Sequence, residues 1–230
     1  MVLGKAAALT FDDRVSVDPK AFNPEVAPFP LADYIGGAIP ECPIITYIGK
    51  VNYYWQSKGL GELMAAVKDI KADFRLLFVA NGKGLNEFKS LVKENNLENK
   101  VIFIDFVPPW QVPSLIKLST CVVMPEREFP IPDHMPILPN EVTAVGKCLV
   151  ISRELIEKKC YGDLIDGENV LVVDPKNIAQ FKTVIEKIIQ DSEKARRIGE
   201  QAYQHSLKSE SFDEYVDFTV KCYESLLNNR

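Results

Sequence analysis

The sequence predicts an α/β fold: a parallel sheet with helices on both faces, followed by an all-helical C-terminal end. Three observations carry this. From Pro43 onward, short apolar runs rich in Val, Ile, Leu and Phe alternate with segments of helical periodicity, as in parallel sheets whose strands are buried on both faces. Beyond Val173 the strand-like runs stop and helical periodicity continues to the end. With 47% hydrophobic residues in 230, the chain can bury a substantial core without disulfides.

In order, residues 1–42 contain Pro19, Pro24, Pro28, Pro30 and Pro40 and little periodicity, which reads as an N-terminal arm or linker. A strand over Ile44–Ile48 follows, then a helix over Lys58–Ile70, a strand over Phe74–Ala80, a helix over Leu85–Glu94 and a strand over Val101–Ile104. The next helix, Val112–Leu118, has Pro113 in its first turn, where the missing N–H costs nothing. The strand Cys121–Met124 ends at Pro125. The loop after it holds Pro130, Pro132, Pro136 and Pro139 and cannot be a regular element. A short helix over about Asn140–Val145 is closed by Gly146, and strands follow over Cys148–Ile151 and Asn169–Val173. Ile178, Phe181, Ile185, Ile188 and Ile189 form one helical face. Asp191 can cap a helix through Tyr203, and Ser211-Phe-Asp-Glu214 is a capping box opening a final helix to Leu227. The expected division is residues 1–42 as arm, 43–207 as one α/β domain and 208–230 as a C-terminal helix.

Lys and Arg number 27 against 32 Asp and Glu, a net charge of −5 with no basic block, which argues against a nucleic-acid partner. Cys42, Cys121, Cys148, Cys160 and Cys222 form no C-x-x-C and read as small core residues of a reducing compartment. No apolar run reaches transmembrane length, and the opening MVLGKAAALTF is too short an apolar stretch for a signal peptide. The expectation is a soluble cytoplasmic protein.

Open α/β sheets bind ligands in loops at the carboxyl ends of their strands, and two such loops hold suitable residues. Gly49-Lys50 ends the first strand, and Ser57-Lys58-Gly59 opens the helix after it. Ser57 as helix cap would put Lys58 in the first turn beside unpaired N–H groups, and two lysines so placed suit a diphosphate. Equally, they are two solvated lysines beside a turn glycine. In the second loop, Asp133 and Glu141 are eight apart, with Glu141 in a first helical turn. Glu141 could accept hydrogen bonds from ligand hydroxyls while the helix amides face an anion, or it could only complement the helix dipole. Asp133 either meets the ligand or shapes a turn, and His134 beside it either hydrogen-bonds a ligand or is an ordinary loop histidine. Glu126, Glu128 and His134 lack the spacing of a metal site. Asn81-Gly-Lys-Gly84 supplies a flexible turn but not the third glycine of a dinucleotide fingerprint, and no P-loop occurs. An NAD-dependent enzyme and a P-loop ATPase are therefore disfavoured.

Residues 133–152, DHMPILPNEVTAVGKCLVIS, resemble the E-x7-E stretch of the group-1 (family-4) retaining glycosyltransferases of the GT-B fold. In that family a second Glu is followed by a small-residue helix, Gly-Lys-Pro-Val-Ile and a Ser. Lys50 stands where the family has Arg, keeping the charge but losing the planar fork, and Lys58-Gly59 matches its Lys-Gly. Val101-x-Phe103-x-Asp105-x-Val107 is similar to its Val-x-Phe-x-Gly-x-Val, with Asp105 for the glycine. Asp133 replaces the first Glu, and Pro136 replaces a glycine, removing an N–H. More loosely, Arg14–Pro24 is similar to the segment after the family's N-terminal domain.

The resemblance implies a Rossmann-like C-terminal half of a GT-B fold, with residues 43–207 binding a nucleotide sugar. The C-terminal helix would pack on an acceptor-binding domain supplied separately, or the chain would form a homo-oligomer. It implies that Asp133 and Lys58 are catalytic. Gly49, Lys50, Lys58, Asp105, Phe106, His134, Ile137, Leu138 and Glu141 would contact the donor, Glu141 at the ribose. The implied reaction is transfer of a hexose from a nucleotide-diphosphate sugar with retention of configuration, and with no metal or other cofactor. The alternative is a non-catalytic binding or scaffold subunit, which the substitutions at Asp105, Asp133 and Pro136 favour.

Overall fold

The computed structural model describes residues 16–131, 134–161, 163–208 and 211–228. Among them, six strands form one parallel sheet: Ile44–Lys50 (β1), Arg75–Asn81 (β2), Val101–Ile104 (β3), Cys121–Met124 (β4), Cys148–Ser152 (β5) and Leu171–Val173 (β6). Their spatial order is β3-β2-β1-β4-β5-β6. The chain adds strands outward from β1, then returns to its other side with β4, so a topological switch point lies between β1 and β4. β4 and β5 are buried along their whole length, which is why they read as unbroken apolar runs rather than as alternating ones.

The helices are Leu31–Ile35 (α1), Leu60–Val67 (α2), Leu85–Glu94 (α3), Val112–Leu118 (α4), Leu138–Ala144 (α5), Arg153–Ile156 (α6), Ile178–Gln190 (α7), Ser192–Ser206 (α8) and Phe212–Asn228 (α9). On one face of the sheet, α2, α3 and α7 bury Leu63, Met64, Phe88, Phe181 and Ile185 against Ile45, Tyr47, Leu76 and Phe78. On the other, α4 and α5 cover the strands through Leu115, Ile116 and Val142. The stretch expected as an arm or linker also contributes to this face: Phe29 and Leu31 are fully buried with Ile44, Leu77 and Val79. Phe29 donates its N–H to the Ser114 carbonyl at 3.0 Å.

Several boundaries differ from the sequence reading, three of them at element starts near the site or at the last strand. The last strand starts at Leu171 rather than Asn169, and the helix expected at Asn140 starts at Leu138, with Pro139 tolerated in its first turn. The helix expected from Lys58 begins at Leu60, after a 3-10 turn over Trp55–Lys58 and a left-handed Gly59 (φ 68°). Ser57 does not cap it, because its Oγ donates to the Glu128 carbonyl at 3.3 Å. The caps of the C-terminal helices are as read. Asp191 accepts from the Lys194 N–H at 2.8 Å, and Ser211 and Glu214 bond reciprocally.

Helix α8 crosses the turn between α5 and β5 at Gly199. A Cβ there would collide with the Gly146 carbonyl oxygen and stand 2.8 Å from the Lys147 carbonyl carbon. Both obstacles are backbone, so Gly199→Ala is expected to destabilise the chain by roughly 1–3 kcal/mol through overpacking, read as a lowered midpoint in urea denaturation. On α9, Val216, Val220, Tyr223 and Leu227 are exposed at helical spacing along one face. Among the described residues no helix is long and apolar enough to cross a membrane.

Candidate functional site

The crevice at the switch point is formed by the segments leaving β1 and β4, and these are fastened to each other. A Cβ on Gly59 would overlap the Pro125 carbonyl oxygen and lie 2.8 Å from its carbon, so only a glycine lets the two backbones approach this closely. The Arg127 N–H donates to the Ser57 carbonyl at 2.8 Å. The Glu154 carboxylate, in the first turn of α6, accepts the backbone N–H of Glu128 and that of Phe129, the latter at 3.2 Å. Ser152 fixes that turn by accepting the Leu155 N–H at 3.2 Å. Glu128 adopts a positive φ of 48°, and the Arg127 guanidinium is paired with Glu62 and Glu128.

This packing encloses a charged cluster. The Lys58 ammonium is paired with Glu126 Oε1, lies 4.1 Å from the centroid of the Phe129 ring and 3.5 Å from His134 Nε2. The Lys58 side chain is 14% exposed and that of Glu126 5%. His134 Nε2 lies 3.2 Å from Glu126 Oε2, and its ring stacks on Phe129 with centroids 4.2 Å apart. Oε2 is buried, and its near neighbour among the described residues is His134 Nε2. Burial, with help from the neighbouring lysines, lowers the His134 pKa against the pull of Glu126. Tyr47, beneath Gly49, is kept a neutral phenol by burial and then by Glu126.

The other expected site residues distribute as follows. Lys50 is exposed at the end of β1, with Gly49 half-buried before it. Asp105 follows β3 and accepts hydrogen bonds from Asn81 Nδ2 at 2.7 Å and the Phe106 N–H at 2.6 Å, which hold its carboxyl below the usual range. It therefore sits on the same strand-end edge of the sheet as β2, with Phe106 exposed beside it. Ile137 is exposed just before α5, whereas Leu138 is buried among Met124, Val142 and Leu149. The Leu138 side chain is thus committed to the core, which leaves its backbone as the part that faces the loop. Glu141 lies in the first turn of α5, and burial alone raises its carboxyl to about 7. Asp133 lies outside the described residues.

Glu126 is the site residue that sequence reasoning undervalued. Its one signal is an acid directly after the proline that ends a buried strand; its lysine partner is 68 residues away. Among the described residues no group of three or more His, Cys, Asp and Glu is placed to hold a metal ion. A separate cavity of about 310 Å³ opens between residues 16–23, α5 and the C-terminal end of α8. None of the residues expected to contact a donor lines it.

Residues 37–205 match the family described as Glycosyl transferases group 1. The chain is 24% identical over 170 residues to the alpha-D-kanosaminyltransferase of Streptomyces kanamyceticus, covering 71% of this chain and 41% of that protein. It spans about half the length of the curated relatives it matches. Among solved structures, it superposes on the C-terminal domain of the group 1 family glycosyl transferase LpcC from Francisella tularensis. That match has a TM-score of 0.69 at 19% identity and covers 86% of this chain and 100% of the other. It also superposes on Anabaena HepE in complex with UDP and glucose, with a TM-score of 0.71 at 16% identity, covering 93% of this chain and 55% of the other. Likenesses this distant in sequence establish a shared fold.

Proposed function

The chain belongs to the group 1 glycosyl transferases and has the fold of the C-terminal domain of a GT-B enzyme, and from that premise we propose that it binds the donor for a retaining hexosyl transfer. The donor is a nucleotide-diphosphate sugar. Its diphosphate lies along the crevice between β1 and β4, with Lys58 and Lys50 stabilising the charge that develops on the leaving group. The ribose hydroxyls donate to Glu141, the base rests near Asp105 and Phe106, and Asp133 serves the sugar side. The acceptor attacks on the face the diphosphate leaves, and a phosphate oxygen takes its proton. The acceptor site comes from a further domain or a second copy, and the exposed apolar face of α9 offers that body a surface.

The observation that carries this reading is the position of Lys58: a partly buried ammonium in the crevice at the switch point, where α/β sheets bind their ligands. The UDP held by the Anabaena protein of the same fold supports it. Calorimetric titration with UDP, GDP and ADP and their hexose conjugates tests it. One nucleotide is expected to bind, and Lys58→Ala to weaken it roughly 10–100-fold, the worth of a charge-assisted contact. The second reading, a binding or scaffold subunit without catalysis, is favoured by one observation: Lys58 is already neutralised by Glu126. A folded chain that binds none of these nucleotides would put that reading first.

A further inference from the structure

We propose that Glu126 is a built-in counter-anion that occupies Lys58 until a donor diphosphate displaces it, so that this one carboxylate sets the affinity of the donor site. The inference rests on the reading of the crevice as a diphosphate site and adds a residue which that reading does not need. Three features of the cluster lead to it.

The first is competition for one cation. Lys58 pairs with Glu126 Oε1, and both side chains are largely withdrawn from water. An anion reaching Lys58 meets a pair that is already neutral, and poorly screened like charges at this range repel strongly. Diphosphate and carboxylate therefore compete for the charge of the same ammonium, even though it has three N–H donors to share.

The second feature decides which member moves. Glu126 sits in a stretch pinned on both sides: Pro125 against Gly59, the Arg127 N–H on Ser57, and the Glu128 and Phe129 N–H groups on Glu154. Lys58 is a flexible four-carbon stem whose head, among the described residues, is held by side chains. The ammonium swings away and the carboxylate stays.

The third is what receives Glu126 once it is left. Its Oε2 is buried, and His134 Nε2 stands 3.2 Å away. In its Nε2–H tautomer the imidazole, stacked on Phe129, donates to that oxygen. The carboxylate is then not stranded, which would otherwise be costly for a buried charge. The site thus has two arrangements: Lys58 on Glu126, and Lys58 on phosphate with His134 on Glu126.

The test is a calorimetric titration of wild type, Glu126→Gln, Lys58→Met and the double variant with UDP and UDP-glucose, each first checked for folding by circular dichroism. Glu126→Gln is expected to bind about tenfold more tightly than wild type, the scale of removing one partly screened competing charge, and Lys58→Met to abolish that gain. Binding by Glu126→Gln where wild type shows none supports the inference equally. If Glu126→Gln binds no better while Lys58→Met weakens binding, the inference is overturned and the donor reading stands, with Glu126 positioning the lysine. If Lys58→Met binds UDP as well as wild type, Lys58 is not the phosphate cation and the inference falls. If neither wild type nor Glu126→Gln binds, the inference and the donor reading fall together. Should Glu126→Gln not fold, the side-chain carboxyl 13C resonance of Glu126 in wild type decides: it shifts on saturation with UDP if the carboxylate changes partner, and stays fixed if the inference is wrong.

Discussion

Gly59→Ala is expected to lower stability by about 3 kcal/mol and to shift the melting temperature down by roughly 6–12 °C. Two independent terms add. The residue sits at φ 68°, where an L-side chain costs about 1–2 kcal/mol. The new Cβ also meets the Pro125 carbonyl, a backbone group held by the bonds from Arg127 to Ser57 and from Glu128 and Phe129 to Glu154. It cannot retreat without parting the two sides of the crevice, an overpacking cost of about 1–3 kcal/mol. Denaturant titration of wild type and variant measures the loss, a large fraction of the 5–15 kcal/mol typical of a whole domain. If Gly59 were an ordinary turn glycine, the change would stay near 1 kcal/mol. The variant that still folds is expected to bind nucleotide poorly, since Lys58 and Glu126 are set opposite each other by this contact.

Glu141→Gln is expected to have opposite effects on stability and on binding. Burial raises the Glu141 carboxyl from its ordinary 4.5 to about 7. Below pH 4.5 the group is protonated in both the folded and the unfolded chain and the burial carries no electrostatic penalty. Between 4.5 and 7 the unfolded chain ionises while the folded one resists, so stability falls as pH rises; above 7 the loss is complete, at up to about 3 kcal/mol. An amide of the same shape removes that loss. Urea denaturation should therefore find Glu141→Gln more stable than wild type at pH 8 and indistinguishable from it at pH 4. If Glu141 holds the donor ribose as proposed, binding should move the other way, weakening about tenfold or more through loss of a charged acceptor. A residue that served only the dipole of α5 would give the reverse result at pH 8: the amide would be the less stable form.

The strands were readable because parallel strands covered on both faces need unbroken apolar runs, and Cys121–Met124 and Cys148–Ser152 show little else. The capping of α8 and α9 was readable because it is local, three residues apart in each case. What escaped was set by distant partners. Ser57 has the chemistry of a helix cap, but its hydroxyl is spent on a carbonyl 71 residues away. Phe29 and Leu31 look like linker residues among prolines until β2 and α4 close over them. Glu126 is one acid among several in a loop, and only the pairing of β1 beside β4 brings Lys58 to it. The burial of Glu141 likewise depends on what surrounds α5, which no local pattern records.

The seam between β1 and β4 has a mechanical meaning. Residues Ile45 and Thr46 alone pair in register with β4, whereas β1 pairs with β2 over all seven of its residues. The sheet is thus two three-stranded leaves joined by a short hinge line, reinforced at one end by Thr120, which exchanges bonds with both backbone groups of Ile44. The opposite end is held by the Gly59–Pro125 clasp. A ligand lodged there acts as a rivet, gripping both leaves where their backbones share least, and whatever rigidity it adds is delivered to the joint rather than to the leaves.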